Sequence, residues 1–97
     1  GAVKVITMGS AQAKTTTQVK IRSAPNTSAK ELNCGGYGSP EIPYAEKGTN
    51  MSVYGRTLRK ESVGQWQNHW YFVNMHCFIL PVHGWVFGEF VRFEKAD

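Results

Sequence analysis

The stretch that decides the fold is residues 66–90, which read WQNHWYFVNMHCFILPVHGWVFGEF. It holds eight of the chain's twelve aromatic residues, and residues 62–88 contain no Lys, Arg, Asp or Glu. A segment so rich in aromatic and so poor in charged side chains must supply most of the buried surface of a small protein. Asn74, Pro81 and Gly84 interrupt the stretch, so it is predicted to fold as strands and turns and not as one helix.

Alternating apolar and polar residues predict short strands within this stretch and before it. The strongest strand is predicted at 70–75 and another at 85–87, with a single helical turn at 88–91. Five or six short strands without a convincing helix predict an all-β fold, a small antiparallel barrel with elongated loops. The core of this barrel is predicted to contain Val19, Ile21, Met51, Val53, Val73, Trp85 and Val86.

The other segments are predicted to be loops. Residues 9–17 are small and polar, as in a linker, 33–48 are rich in Gly and Pro, and 56–68 are first basic and then rich in Gln. The chain therefore divides into an N-terminal strand and linker segment over 1–17, a barrel domain over 18–93 and a polar end over 94–97.

Length and charge limit the classes of function. Ninety-seven residues fit one domain with a thin core. The net charge of +4 is spread along the chain, so solubilising charge is favoured over a nucleic-acid interface. No apolar run approaches the ~20 residues of a transmembrane helix. The start at Gly1 without Met is expected of a segment taken from a larger parent protein.

Two cysteines, Cys34 and Cys77, fall in predicted loops. An even count permits one disulfide and equally permits two thiols, and the sequence leaves both open. A bridge between them would stabilise the fold by about 4 kcal/mol, because it would restrict the unfolded chain.

Four motifs follow one another in the chain: 19–28 (VKIRSAPNTS), 47–53 (KGTNMSV), 70–73 (WYFV) and 84–91 (GWVFGEFV). The ordered set resembles bacterial SH3 domains, the SH3b or SH3 type 3 family. Ala24 stands where that family usually has Gly, and Phe72 where it usually has Lys. The resemblance implies an SH3-like barrel of five or six strands.

The resemblance also implies a function and a location. It implies a non-catalytic module of an envelope protein that recognises peptidoglycan or its peptides outside the cytoplasm, in the periplasm, in the cell envelope or secreted. The alternative is a protein-interaction module that docks an extended or Pro-rich peptide in an aromatic groove. Neither function involves a cofactor, nucleic acid or a transmembrane segment.

A groove is expected where the loops after the first and middle strands of an SH3-like barrel face each other. Residues 33–48 and 56–68 would form its walls, and a basic rim would attract carboxylates of wall peptides. The predicted groove residues are Tyr37, Tyr44, Trp66, Asn68 and Phe72, and the predicted rim is Arg56, Arg59 and Lys60.

Two further hypotheses receive less support. The NCGGY run at 33–37 is faintly similar to the Asp-Cys-Ser-Gly motif of cell-wall cysteine peptidases, but Gly and Pro around Cys34 oppose the helix that an activated thiolate needs. His69, His76 and His83 lack the close ligand pairs of zinc sites, so no metal site is predicted.

Overall fold

The computed structural model describes residues 4–35, 41–77 and 80–94, and β-strands dominate them. The strands are β1 (Val5–Thr15), β2 (Asn50–Thr57), β3 (Glu61–Val63), β4 (Trp66–Asn68), β5 (Trp70–Met75), β6 (Val82–Phe87) and β7 (Val91–Phe93). A 3₁₀ turn, Gly88–Phe90, separates β6 from β7. The predicted all-β class and the helical turn near the C-terminus are confirmed.

Five strands form one antiparallel sheet in the order β6-β5-β2-β1-β7, which curls into a half-barrel. The strands β3 and β4 pair separately as a two-stranded hairpin. The inner face of the curled sheet carries the core, and the outer face carries Tyr54, Phe72 and Trp85, which are partly or largely exposed. The described residues contain no α-helix that could cross a lipid bilayer.

Six of the seven predicted core residues are buried on the inner face. They are Val19, Ile21, Met51, Val53, Val73 and Val86, each at most 4% exposed. The prediction for Trp85 is wrong, because that side chain is only partly buried and pairs with Phe72 on the outer face. Adjacent residues of a strand point to opposite faces, so Val86 and Trp85 cannot both point inward.

The predicted linker at 9–17 is wrong for residues 9–15, which belong to β1. This strand pairs with β2 on one side and with β7 on the other, so its backbone groups are hydrogen-bonded in the sheet. Its small residues suit a tight interior, and Ala13 is 1% exposed. The five-stranded sheet therefore begins at Val5, ahead of the predicted domain boundary at residue 18.

The segment 18–22 does not form a continuous strand, although it is extended and buries Val19 and Ile21. It joins the structure through isolated bridges, one of them between Arg22 and Trp85 of β6. Gly84 permits this close packing: a Cβ there would lie 2.6 Å from Ile21 Cγ2 and 2.9 Å from the Arg22 carbonyl oxygen.

The predicted loop at 56–68 is also wrong in large part. The strand β2 continues through Thr57, and the rest folds back as the β3–β4 hairpin. Thr57 is 1% exposed and fixes the base of this hairpin, because its Oγ1 accepts a hydrogen bond from the Trp70 backbone N–H at 3.1 Å. Its carbonyl oxygen lies 2.9 Å from Nδ1 of His69.

A disulfide joins Cys34 to Cys77, with the two Cα atoms 5.2 Å apart. It ties the segment after Leu32 to the end of β5. Next to it, the Asn33 Oδ1 accepts backbone hydrogen bonds from Gly35 at 2.8 Å and from Ile42 at 2.9 Å. The structure thus contains the bridge that the sequence left open.

Candidate functional site

The structure places the predicted groove residues in different parts of the molecule. Tyr44 is half-buried beside the disulfide, where it lines a cavity of about 350 Å³ with Ile42 and His76. Trp66 lies on β4, is 37% exposed and meets Phe90 edge to face at 5.4 Å. Tyr37 lies outside the described residues.

Asn68 and Arg56 make contacts within the chain. The Asn68 Oδ1 accepts a hydrogen bond from the His69 backbone N–H at 2.8 Å. The Arg56 guanidinium donates to the carbonyl oxygens of Thr57 at 3.1 Å and Leu58 at 3.3 Å. The predicted basic rim therefore retains Arg59 and Lys60 as exposed cations, whereas Arg56 holds the end of β2.

Phe72 belongs to a surface that runs across the outer face of the sheet. The cross-strand register places Thr7 opposite Gly55, Gly55 opposite Phe72, and Phe72 opposite Trp85. Directly opposed residues of antiparallel strands project from the same face. The rings of Phe72 and Trp85 lie 5.4 Å apart between centroids.

Tyr54 adds a third aromatic residue, and we call Tyr54, Phe72 and Trp85 the aromatic row. The pairing of β2 with β5 shifts between Val53 and Gly55, and residues 8–10 of β1 lie opposite Tyr54 alone in β2. Such bulges often redirect a side chain at a binding surface. Tyr54 is 37% exposed as a result of this position.

A shallow depression of about 390 Å³ lies within the aromatic row. Gly55 has no side chain and forms part of its lining, between Phe72 and the β1 residues Val5 and Thr7. Because a Cβ at Gly55 would lie 3.0 Å from the Ile6 carbonyl oxygen, any larger residue would strain this contact and fill the depression. Val5 is 51% exposed and offers a further apolar contact.

Polar residues extend the row at the β6 edge. The backbone of Arg22 forms one isolated β-bridge with Trp85 and another with Glu31. The Lys20 ammonium hydrogen-bonds the Glu31 carboxylate at 2.7 Å, and this bond, with the charges of Lys20 and Arg22, lowers the pKa of Glu31. From Glu31 to Thr7 the surface that contains the aromatic row crosses five strand spacings, about 24 Å along the curled sheet.

Sequence reasoning missed Tyr54 and Trp85 as surface residues. The signal was present, because the alternation that buries Met51 and Val53 turns Tyr54 outward. The alternation that buries Val86 turns Trp85 outward in the same way. His83 also lies on this face and stacks on Phe72 with the ring centroids 6.4 Å apart and the planes inclined by 21°.

Among the described residues, the structure offers no site for the cysteine-peptidase hypothesis or for the metal-binding hypothesis. The sulfur of Cys34 is bonded to that of Cys77, so it has no thiolate to attack a carbonyl. Within residues 4–35, 41–77 and 80–94, no three His, Cys, Asp or Glu side chains gather as metal ligands.

Comparison with protein-family models, with curated proteins and with solved structures finds no match to this chain.

Proposed function

We propose that this chain is a non-catalytic, SH3b-like binding module that recognises peptidoglycan or its peptides on the outer face of its sheet. The observation that supports this best is the aromatic row, with its exposed Tyr54 and its depression lined by Gly55. Exposed aromatic faces can stack on sugar rings and on peptide planes, whereas aromatic side chains in the core are covered by other residues and cannot. The resemblance to bacterial SH3 domains supports the choice of a wall polymer.

The shape of the surface favours an extended ligand. The surface from Glu31 to Thr7, about 24 Å long, accommodates about seven residues of extended peptide, or a short glycan strand carrying its peptide. The aromatic row contacts the ligand at the centre, and Arg22 and Glu31 offer polar contacts at one end. Buried aromatic contacts then provide most of the affinity, and the charged end affects orientation and salt dependence.

The disulfide supports a location outside the cytoplasm. Disulfides persist in oxidising compartments and are rare among proteins bathed in cytosolic thiols. A Cys34–Cys77 bridge therefore fits the periplasm, the cell envelope or the extracellular space.

A second candidate function is docking of an extended or Pro-rich protein segment at the β3–β4 hairpin. It is favoured by Trp66, whose exposed ring meets Phe90 of the 3₁₀ turn edge to face. Exposed Trp rings next to another aromatic are typical of surfaces that bind Pro-rich segments. The two functions use different residues, so substitutions separate them.

Co-sedimentation with insoluble peptidoglycan tests the proposal. The wild-type chain should sediment with the polymer, and Tyr54→Ala should weaken binding about 30-fold, which corresponds to about 2 kcal/mol for a central aromatic contact. Trp66→Ala is the matched control, because Trp66 is an aromatic side chain with the same 37% exposure. Thermal melting should show both variants folded.

Three results would contradict this account in different ways. Failure of the wild-type chain to sediment would show that it does not bind peptidoglycan. Loss of binding in Trp66→Ala with retention in Tyr54→Ala would move the site to the hairpin. Equal binding by both variants and the wild type would show that neither aromatic surface takes part.

A further inference from the structure

A second depression lies at the β7 edge of the sheet, where β1 and β7 pair. Its volume is about 920 Å³, near the upper end of the range of small-molecule sites. The end of β1, the turn at 46–49 and the strand β7 surround it. It shares no lining residue with the depression beside the aromatic row.

Two cations stand directly opposite each other at this edge. Lys14 of β1 is the cross-strand partner of Arg92 of β7, and on its other side Lys14 faces Asn50 of β2. Like charges in directly opposed positions destabilise a sheet. Within the described part of the chain the ion pairs are both made by Glu31, so neither Lys14 nor Arg92 forms an ion pair there.

A third cation, Lys47, is held beside them by the backbone. The Gly48 N–H donates to the Thr15 carbonyl oxygen at 2.9 Å, and the Thr49 N–H donates to Thr15 Oγ1 at 3.0 Å. Thr15 Oγ1 donates in turn to the Glu46 carbonyl oxygen at 2.6 Å. Thr15 is 3% exposed, so the turn that carries Lys47 is fixed to β1 and lies against the depression.

The lining combines this positive charge with an apolar surface. Among the described residues that line the depression, Glu94 is the sole carboxylate, which leaves a formal charge of +2 from the three lining cations and this acid. Phe93 adds a ring that is 36% exposed. The cations gather at one depression and do not follow a stripe, as a nucleic-acid backbone would require.

We propose that this depression binds a phosphate monoester carried on a small organic group, such as a sugar phosphate. A phosphate monoester carries a charge of about −1.5 to −2 at pH 7, which matches the charge of the lining. Arg92 presents a planar pair of donors to two phosphate oxygens, and the lysines act as point charges. Phe93 projects to the face opposite Arg92, where its ring meets Tyr71 at 5.2 Å, and it contacts the organic group where the ligand passes around the open edge of β7. Binding of this ligand offsets the repulsion between Lys14 and Arg92.

NMR titration of the ¹⁵N-labelled protein with phenyl phosphate at constant ionic strength tests the proposal. The amide signals of Lys14, Thr15, Gly48 and Phe93 should shift together and saturate. Lys14→Gln/Arg92→Gln should bind about 30-fold more weakly, the effect of losing two exposed ion pairs at the upper end of their usual strength. Without ligand this variant should melt at or above the wild-type temperature, since it relieves the like-charge pair.

Lys30→Gln/Arg59→Gln is the matched control, because it removes two exposed cations elsewhere and gives the same net charge. It should bind as the wild type does. Equal weakening in both double variants would overturn the proposal, because attraction would then depend on net charge alone. Shifts spread over the surface would overturn it as well.

Three other ligands define the chemistry. Benzoate should bind more weakly than phenyl phosphate, and equal binding would contradict a dianion site. Inorganic phosphate should also bind more weakly than phenyl phosphate. Equal binding of the two would show that Phe93 does not contribute to the affinity. A single-stranded oligonucleotide that binds these residues more tightly than phenyl phosphate would replace the small ligand with nucleic acid.

Discussion

Removing the Cys34–Cys77 disulfide should cost about 4 kcal/mol of unfolding free energy. The two cysteines are 43 residues apart, and restricting an unfolded loop of that length lowers its entropy by about 13 cal/mol/K. The loop contains β2, β3, β4 and β5, the middle of the fold. For a domain of this size the loss corresponds to a fall of about 20 °C in Tm.

Urea unfolding of three samples measures this effect: the oxidised protein, the reduced protein and the Cys34→Ala/Cys77→Ala variant. Reduction and substitution should lower the unfolding free energy by similar amounts, because both release the same unfolded loop. Hydrogen exchange of the Cys34 amide, which donates to the Ile42 carbonyl at 2.8 Å, should quicken more than that of the Val73 amide. A loss below about 1 kcal/mol in the reduced protein would refute the argument from loop entropy.

Further predictions concern single residues. Gly84→Ala should lower the unfolding free energy by about 1–3 kcal/mol in urea, because a Cβ there meets Ile21 and the Arg22 carbonyl; an unchanged midpoint would contradict that close approach. Burial raises the pKa of Tyr71 above 10.0, against the opposing charge of Arg56, so the folded state keeps this proton longer than the unfolded state. Stability should therefore fall as pH rises above about 10, and Tyr71→Phe should show a smaller fall in alkaline melting curves. The lowered pKa of Glu31 contributes stability above its unfolded pKa that is lost as pH falls through its folded value; Glu31→Gln should show a slightly smaller loss of Tm on acidification, and an identical acid profile would refute this contribution.

The core was predictable because alternation is a local signal. Val53 and Val73 follow the period of two that a half-buried strand requires, and both are buried. The strand β1 was not predictable in the same way, since residues 9–15 are small and polar. Their strand conformation depends on pairing with β2 and β7, which are distant in sequence. Propensity for the strand conformation depends on such neighbours.

The candidate site depends on the pairing register of the strands, which cannot be read from the sequence. Thr7, Gly55, Phe72 and Trp85 become neighbours only when four strands pair in the observed alignment. The sequence predicted Phe72 as a groove residue, but grouped it with loop residues that the structure places elsewhere. A one-residue slip would exchange the two faces, so the row exists only in this pairing.

Binding of a wall polymer across the aromatic row can be tested on single residues. The most direct measurement is an NMR titration of the ¹⁵N-labelled chain with a soluble peptidoglycan fragment that carries its stem peptide. The amide signals of Tyr54, Gly55, Phe72 and Trp85 should shift together, and Tyr54→Ala should need about 30-fold more fragment to reach the same shifts. Saturating shifts confined to Trp66 and the rest of the β3–β4 hairpin, with the signals of the aromatic row unmoved, would contradict this prediction.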